Sequence, residues 1–279
     1  MFTLNCRGRL LVIDDPIVMG VINVTPDSFY SGSRVILEDK IIEQATKMLD
    51  EGATIIDIGG QSTRPGSKYI TPEEELERVL PAIEATRSIA REFYISIDTF
   101  HHTVAKESIL VGADMVNDVS SGDMDDEMIS TVAALNVPYI SMHMQGTPQT
   151  MHENTQYNNL LADVIDYFIK KLEVYKSAGI KDVIIDPGFG FGKTIPQNFK
   201  LLKHFSAFKI FEKPLLAGLS RKGTIYKTLG ITAKEALNGT TVLNTLALQN
   251  GADILRVHDV KEAKEAIALF KQYSTAGQS

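Results

Sequence analysis

Residues 51–60, EGATIIDIGG, hold the pattern from which the fold of this chain can be predicted. Gly52 supplies a C-terminal stop for the helical pattern before it. The apolar run that follows ends in a carboxylate, Asp57, and two glycines. Similar Gly-centred turns between a helical pattern and an apolar run recur at residues 111–114, 178–181 and 250–253, as VGAD, AGIK and NGAD. The chain therefore repeats a unit of helix, turn and strand.

Eight short apolar runs predict buried parallel strands, because a strand that is covered on both faces is apolar almost throughout. Helical patterns lie between these runs. The pattern at 71–92 opens with Thr71 as a cap, Pro72 in the first helical position and Glu74 to complete a capping box. The predicted strands are 18–23, 54–59, 94–98, 114–118, 137–142, 182–187, 214–218 and 253–257.

Eight alternating units in 279 residues predict an α/β fold, a (β/α)8 TIM barrel that forms a single domain over residues 1–279. The opening segment, FTLNCRGRLLVID (2–14), is predicted to be a short β-hairpin that turns at Arg7-Gly8 and covers the N-terminal mouth of the barrel. The alternative is a doubly wound open sheet, which would normally split into halves around a switch point.

The composition is that of an ordinary globular protein, with 44% apolar and 23% charged residues. A net charge of −7 argues against a general nucleic-acid binder. Cys6 is the single cysteine, which excludes an internal disulfide and favours a reducing compartment. We see no signal-peptide core, and no run approaches the ~20 apolar residues of a membrane span. We expect a cytoplasmic protein with neither nucleic-acid nor membrane partners.

The stretch VIIDPGFGFGKT at 183–194 resembles a phosphate-binding loop but fails both common templates. The pattern G-x-x-x-x-G-K-[ST] would need glycine at Pro187, and the dinucleotide pattern would need it at Lys193 or Ile195. We interpret the glycines as allowing the backbone to approach a ligand closely after a strand. Lys193 is expected at the surface or at the start of a helix.

Polar side chains stand at the predicted strand ends, where barrels of this kind carry their chemistry. Taken alone, Asp57 and Asp118 are better explained as caps of the next helix, and Asn23 fits either interpretation. Their convergence in a closed barrel is what favours a site. The strand-end residues are Asn23, Asp57, Asp98, Asn117, Met142 with His143, Asp186, Ser220 to Lys222, and Arg256 with His258.

Two long segments rich in Gly, Ser, Thr and Pro follow the first two barrel strands, at 24–34 and 60–75. They are either ordinary surface loops or mobile covers that bring side chains to a ligand and exclude water. In the second interpretation they supply Asp27, Phe29, Thr63 and Arg64.

Eight motifs occur in order, one per strand end: NVTPDSF, IGGQSTRPG, SIDT, NDVSSG, MHMQGTP, DPGFGFGK, SRKG and LRVHDV. From about Met19 to Asp259 the chain thereby resembles the dihydropteroate synthase family of folate biosynthesis. The resemblance implies a TIM-barrel transferase, usually a homodimer and a sulfonamide target. Such enzymes use Mg²⁺ to join p-aminobenzoate to 6-hydroxymethyl-7,8-dihydropterin pyrophosphate, with release of pyrophosphate.

The resemblance assigns the pterin ring to Asp186, Asn117 and Lys222. A carboxylate can accept two parallel N–H groups from the ring, and an amide can pair with its mixed edge. Lys222 would donate to the ring and neutralise charge, while Asp98 would lie near the reacting carbon. Further substrate contacts are expected from Met142, Gly190 and Gly218.

For pyrophosphate, the resemblance implies Arg256 and His258, helped by Thr63 and Arg64, with Asn23 as the protein ligand of Mg²⁺. The aminobenzoate would lie in an apolar slot, with Ser220 or Arg221 near its carboxylate. The residues expected at this slot and its cover are Asp27, Phe29, Pro65 and Phe191. The predicted catalytic residues are Asp98, Lys222, Arg256 and His258, acting on a loose, SN1-like transition state.

Two positions depart from the family pattern. Gly223 stands where a serine often follows Arg-Lys, so a hydroxyl contact to the aminobenzoate carboxylate would be missing. Tyr30 stands where a small residue is common. Both positions bear on sulfonamide sensitivity.

Three alternatives remain at this point. A pterin-binding methyltransferase barrel would share Asp98, Asn117 and Asp186 but would not need Arg256 and His258. A non-catalytic pterin-binding paralogue would be marked by loss of catalytic residues, and all of them are present. A phosphosugar barrel enzyme would not explain Asp186 together with Asn117.

Overall fold

The computed structural model describes residues 1–25, 34–61, 69–89, 92–151 and 153–276, with side chains from residue 38 onward in the second of these ranges. Two antiparallel strands at the N-terminus precede eight parallel strands, and every predicted barrel strand is present. The hairpin strands are β1 (Phe2–Cys6) and β2 (Arg9–Ile13). The barrel strands are β3 (Ile17–Asn23), β4 (Ile55–Gly59), β5 (Tyr94–Asp98), β6 (Met115–Asp118), β7 (Tyr139–Met142), β8 (Val183–Asp186), β9 (Leu216–Ala217) and β10 (Ile254–Val257).

The eight parallel strands close into a ring. They pair in the order β8-β7-β6-β5-β4-β3-β10-β9. The two ends of this series meet at a parallel bridge between Ile185 and Leu215, where the backbone N–H of Ile185 donates to the oxygen of Pro214 at 2.9 Å. The predicted TIM barrel is confirmed, and the doubly wound sheet is excluded because an open sheet has no such closing contact.

The helices of the described residues alternate with the barrel strands. They are α1 (Arg34–Asp50), α2 (Pro72–Arg87), α3 (His102–Val111), α4 (Met128–Leu135), α5 (Leu160–Ala178), α6 (Ile195–Lys203), α7 (Gly223–Leu229), α8 (Leu237–Gln249) and α9 (Val260–Thr275). The predicted capping box at α2 is present. Thr71 Oγ1 accepts from the N–H of Glu74 at 3.3 Å, and Glu74 Oε2 accepts from the N–H of Thr71 at 3.2 Å. The helix α7 is not predicted by the sequence pattern, because seven residues are too few for a helical period to stand out.

The four predicted turns between helix and strand have the expected backbone. The φ angles of Gly52, Gly112, Gly179 and Gly251 are 98°, 131°, 92° and 90°, a region that residues with a Cβ seldom occupy. These glycines end α1, α3, α5 and α8 and direct the chain into the next strand.

The N-terminal hairpin covers the N-terminal mouth, as predicted. Its turn is at Arg7 and Gly8, which both have positive φ, as a two-residue hairpin turn requires. The inward side chains pack against residues near the starts of the barrel strands. This buried cluster contains Leu4, Cys6, Leu11 and Ile13 of the hairpin with Met19, Ile55, Met115, Ile140, Ile184, Leu216 and Ile254 of the barrel.

With that mouth covered, the polar residues gather at the other rim, where the strands end. Asn23, Gly59, Asp98 and Asn117 are aligned by the strand register across β3, β4, β5 and β6. Among the described residues, no helix has the length and apolar character needed to cross a membrane.

Candidate active site at the C-terminal rim

Arg256, at the end of β10, connects four strands at this rim. Its Nε donates to Asp57 Oδ2 at 2.7 Å, and its Nη2 donates to Asp98 Oδ2 at 2.6 Å. Asn117 Nδ2 donates to the same oxygen of Asp57 at 3.2 Å. The guanidinium therefore fixes the relative positions of two carboxylates and one amide that are far apart in sequence.

Asp57 does not have the predicted role of a helix cap. It lies within β4, is fully buried, and contacts Arg256 and Asn117. A carboxylate at the strand's end would be free to cap the next helix, whereas the Asp57 carboxylate points into the barrel toward Arg256 and Asn117. Asp57 is thus a positioning residue that sequence reasoning underestimated.

Asp98 has a side chain that is only 15% exposed. Burial raises its pKa to about 7; the charge of Arg256 opposes this shift, and Asp57, Asp118 and Asp186 reinforce it. The carboxyl group can therefore exist both protonated and charged near neutral pH.

A second cluster surrounds Asp186, at the end of β8. One carboxylate oxygen accepts from the N–H of Gly188 at 2.8 Å. Burial raises the pKa of Asp186, and the nearby Lys222 ammonium is the main opposing influence. A Cβ on Gly218 would lie 3.9 Å from Asp186 Oδ2 and 3.6 Å from Lys222 Nζ, so this glycine lies beside both groups.

Lys222 reaches across to the glycine-rich loop. Its Nζ donates to the backbone oxygen of Phe189 and lies 4.7 Å from the ring centre of Phe191. A Cβ on Gly190 would be 3.2 Å from Lys222 Cδ, so the absent side chain leaves room for the lysine stem. Desolvation lowers the pKa of Lys222 to about 8, and the carboxylate of Asp186 counteracts that shift.

Apolar side chains form a patch at the same rim. Met142, at the end of β7, clusters with Phe100 and Val119, and Phe191 packs against them from the loop after β8. A flat aromatic ligand could lie on this patch while its polar edges meet the carboxylates.

His258 contacts Ser220 at the ends of neighbouring strands. The Oγ of Ser220 accepts from the backbone N–H of His258 at 3.2 Å and lies 3.1 Å from its Nδ1. Arg221 has a positive φ of 53°. Its guanidinium donates to Asp259 at 2.8 and 2.9 Å and to the backbone oxygen of Ala233, just before α8, at 3.0 Å. Its guanidinium thus holds the loop, while Ser220 lies at the rim.

The donor set fits a magnesium ion that arrives with a phosphorylated ligand. Asn23 offers a neutral amide oxygen at the end of β3, in register with Gly59 and Asp98. Over the described parts of the chain, no three His, Cys, Asp or Glu residues are grouped to hold a metal. Mg²⁺ usually takes one or two protein oxygens when substrate phosphates provide others.

Five predicted site residues, Asp27, Phe29, Thr63, Arg64 and Pro65, lie outside the described residues, as does Tyr30. The other predicted residues are brought to the C-terminal rim. They are Asn23, Asp98, Asn117, Met142, Asp186, Gly190, Phe191, Gly218, Ser220, Lys222, Arg256 and His258.

The prediction for Lys193 was right in one alternative and wrong in the other: the residue directly precedes Thr194, the N-cap of α6, but it is not at the surface. The residue is 8% exposed and lies inside the rim, where its Nζ is bonded to the loops after β7 and β8. Sequence patterns did not reveal this, because lysine is rarely buried and the motif suggested only a loop. Asp118 is also not a helix cap; it accepts from the N–H groups of Ser120 and Gly122 and from Tyr139, and so holds its own turn.

Comparison with known proteins identifies the family. A family model described as "Pterin binding enzyme" matches residues 19–258. The dihydropteroate synthase of Escherichia coli (strain K12) is 41% identical over 277 residues, which cover 98% of this chain and 97% of the relative.

Solved structures agree with the sequence relatives. The Yersinia pestis dihydropteroate synthase in a sulfonamide drug complex superposes with a TM-score of 0.92 at 39% identity, covering 99% of this chain and 100% of that one. The Xanthomonas albilineans dihydropteroate synthase in complex with 7,8-dihydropteroate gives a TM-score of 0.85 at 33% identity, covering 98% and 99%. This chain therefore belongs to the pterin-binding enzyme family, within the group formed by the dihydropteroate synthases.

Proposed function

We propose that this protein is a dihydropteroate synthase. It condenses 6-hydroxymethyl-7,8-dihydropterin pyrophosphate with p-aminobenzoate and releases 7,8-dihydropteroate and pyrophosphate. The observation that carries this proposal is the gathering of Asp186, Asn117 and Lys222 with Arg256 and His258 at one rim of the barrel. Acceptors for a heterocycle are thereby placed around one opening together with the Arg256 cation and the His258 imidazole, whose pKa burial and Arg256 lower to about 4.

The pterin is proposed to lie with its paired N–H groups on Asp186, a bidentate geometry that a fixed carboxylate favours. Lys222 donates to the ring from the same side, since both groups flank Gly218. Asn117, held by Asp57, meets another edge, and Met142 with Phe191 covers a ring face.

The pyrophosphate is proposed to lie toward Arg256 and His258, with Thr63 and Arg64 from the second loop. Asn23 would hold the Mg²⁺, and the bound ion would neutralise negative charge on the leaving group. The positions of the loop residues are part of the proposal, and their roles come from the resemblance.

The reaction breaks the bond between the methylene carbon and the pyrophosphate oxygen and forms a bond from that carbon to the amine, which loses a proton. We infer a loose, SN1-like transition state in which positive charge develops on the pterin. Asp98 lies close to Arg256, where its carboxylate can stabilise that charge as the cations stabilise the departing anion. Such paired stabilisation requires no side-chain nucleophile.

The p-aminobenzoate is proposed to occupy a slot formed by Phe191 with Phe29 and Pro65, with its carboxylate toward Ser220. Arg221 is not favoured for that carboxylate because all three guanidinium nitrogens already donate, to Asp259 and to the backbone oxygens of Ala233 and Lys234. A pterin-binding methyltransferase is the second candidate, but it gives no use to the side chains of Arg256 and His258.

The proposal is tested by a pyrophosphate-release assay with both substrates and Mg²⁺. Release is expected only when pterin pyrophosphate and p-aminobenzoate are present together. Asp186→Ala is expected to abolish pterin binding in calorimetry, whereas the exposed Asp126→Ala on the same protein should bind normally. Full pterin affinity in Asp186→Ala would disprove the pocket assignment.

We further propose a homodimer formed through α8 and α9. Large apolar side chains on these adjacent helices are exposed, with Val242 at 50%, Leu269 at 73% and Tyr273 at 71%. Exposed apolar groups concentrated in one area mark an interaction surface. Leu269→Glu is expected to convert a dimer into a monomer in sedimentation velocity, whereas the exposed Leu110→Glu on α3 should not. A monomeric wild type would refute the dimer.

The cytoplasm is the proposed location. The support is that Cys6, the single cysteine, is a buried free thiol under the N-terminal hairpin. A protein with a free thiol and no possible internal disulfide is typical of a reducing compartment such as the cytoplasm.

A further inference from the structure

Lys193 is a buried cation to which the proposed reaction gives no role. Its Nζ lies 3.0 Å from Nδ1 of His143 and donates to the backbone oxygens of Gly188 and Phe191, each at 3.0 Å. The oxygen of His143 is a fourth partner at 3.3 Å. Every contact is to a neutral dipole, which is an unusual environment for an ammonium group that burial penalises.

His143 is suited to accept a hydrogen bond from Lys193. Burial lowers the pKa of the imidazole to about 2, and the adjacent ammonium contributes to this shift. The ring is therefore neutral, so Nδ1 is the acceptor and Nε2 carries the proton. The other side of the ring packs edge-on against Tyr167 with centroids 4.9 Å apart, and this contact fixes its orientation.

The four partners belong to two loops that fit closely together. His143 follows β7, and Gly188 and Phe191 belong to the loop after β8. A Cβ on Gly188 would overlap the backbone oxygen of His143, and one on Gly192 would be 3.0 Å from the N of Gln145. Lys193 lies between the two loops, and its Nζ donates to backbone oxygens of both.

Two residues that accept hydrogen bonds from Lys193 also contact residues of the proposed pterin pocket. Gly188, whose oxygen accepts from Lys193, gives its own N–H to Asp186. Phe191, whose oxygen also accepts from Lys193, presents its ring to Lys222 at 4.7 Å. One ammonium group thus sets the backbone from which two pocket contacts are made.

We propose that Lys193 is a positioning residue for the pterin pocket, whose ammonium group locks the loops after β7 and β8 together and thereby fixes Asp186 and the contact between Phe191 and Lys222. This inference rests on the proposed function, because it concerns the same pocket. It also explains the glycines of DPGFGFGK, which permit the close approach of the loops that the ammonium group then fastens.

The ammonium group also acts on Asp186 through its charge. Burial raises the pKa of Asp186, whereas Lys222, the N–H of Gly188, Arg256 and Lys193 lower it. The carboxyl group of Asp98 also interacts with Asp186, and that interaction raises the pKa of Asp98. Burial lowers the pKa of Lys193 itself to about 7, Asp186 favours its charged form, and Lys222 disfavours it. The ammonium form is therefore the main one below about pH 7, the range in which Asp186 takes up its proton. Removal of the Lys193 charge should therefore raise the pKa of Asp186. As the pH falls, the variant should then lose pterin affinity at a higher pH than the wild type does.

The test compares Lys193→Met, which has a similar length but no charge, with Lys203→Met, an exposed lysine at the end of α6. Binding of 6-hydroxymethylpterin without p-aminobenzoate is measured by calorimetry from pH 5 to pH 9. Lys193→Met is expected to weaken binding by about 10-fold to 100-fold, as when a positioned group is displaced. The acid limb of its affinity profile should also move to higher pH, and Lys203→Met should match the wild type.

Lys193→Arg keeps the proposal testable if Lys193→Met does not fold. Arginine retains the charge but cannot match four acceptors arranged around one nitrogen. Weaker binding with an unshifted acid limb is expected for it. Wild-type affinity and an unshifted acid limb in whichever variant folds would overturn the proposal. If the wild type itself neither binds the pterin nor releases pyrophosphate, the proposed function fails instead, whatever the variants do.

Discussion

Arg256 has a structural role in addition to its predicted role as a phosphate ligand. The family resemblance implied that Arg256, together with His258, is a phosphate ligand. In the fold, the guanidinium also binds Asp57 and Asp98, so the same cation that is proposed to meet the leaving group organises the pocket. Asp57 could not be recognised from sequence, because its partner is 199 positions away.

Arg256→Ala is expected to lower the free energy of unfolding by about 3–5 kcal/mol, because it leaves the fully buried Asp57 without its counter-ion. Denaturant unfolding measures the loss. Adding Asp57→Asn to that variant should restore part of the stability, since the unpaired charge is then gone. Equal stability of the wild type and Arg256→Ala would show that the pair is not a structural link.

Gly223→Ser is expected to lower the KM for p-aminobenzoate by about fivefold, the effect of one added hydrogen bond. The site has room, because a Cβ would lie 3.6 Å from the Tyr226 hydroxyl oxygen. Steady-state kinetics measures the change, and sulfonamide inhibition should tighten in parallel. Gly223→Ala is the matched control, which adds the Cβ without the hydroxyl; an equal gain in both variants would exclude the hydroxyl as the cause.

At the scale of elements, the N-terminal hairpin is fastened to the barrel by charge as well as by apolar packing. The carboxylate of Asp114 accepts from Arg9 at 2.7 Å, from Arg87 at 2.5 Å and from the N–H of Ile95 at 2.8 Å. The hairpin itself was predictable from Arg7-Gly8 and its alternating residues. The charged link was not, since it joins three elements that are distant in sequence.

Asp114→Ala is expected to cost about 3 kcal/mol of folding stability, because it removes the buried carboxylate that neutralises Arg9 and Arg87 and leaves the N–H of Ile95 without its acceptor. Asp15→Ala is the contrasting control: Asp15 pairs with Lys271 on the surface, and its loss should cost less than about 1 kcal/mol. Thermal and denaturant unfolding of both variants checks the difference. Similar losses in the two would mean that burial of Asp114 does not matter.

For the whole molecule, stability is expected to depend on pH through Glu75, a buried carboxyl group on α2. Glu75 accepts from the Thr99 hydroxyl at 3.0 Å, and its other oxygen has no partner among the described residues. Burial raises its pKa to about 8; Thr99 and Arg78 oppose the shift, and Asp98 adds to it. The group is therefore protonated in the folded protein at pH 7 but ionised in the unfolded chain.

Because the folded state holds this proton and the unfolded state loses it near pH 4.5, Glu75 makes the protein less stable as pH rises toward 8. Glu75→Gln should remove that loss, so its stability advantage over the wild type should grow between about pH 5 and about pH 8 and then level off. Unfolding by denaturant at several pH values measures this. Glu77→Gln, exposed on the same helix, should follow the wild type; a constant advantage for Glu75→Gln would contradict the assignment.

The sequence by itself determined the number and order of the barrel strands, the capped and Gly-terminated helices, the N-terminal hairpin and the strand-end residues. These features depend on local periodicity, turn chemistry and motifs, which neighbouring residues express together. The tertiary structure alone decided that Asp57 holds Arg256 and that Lys193 is buried against His143. Burial and ion pairing depend on which residues meet when the ring closes, and the free energy of a charge is set by those partners rather than by its neighbours in sequence.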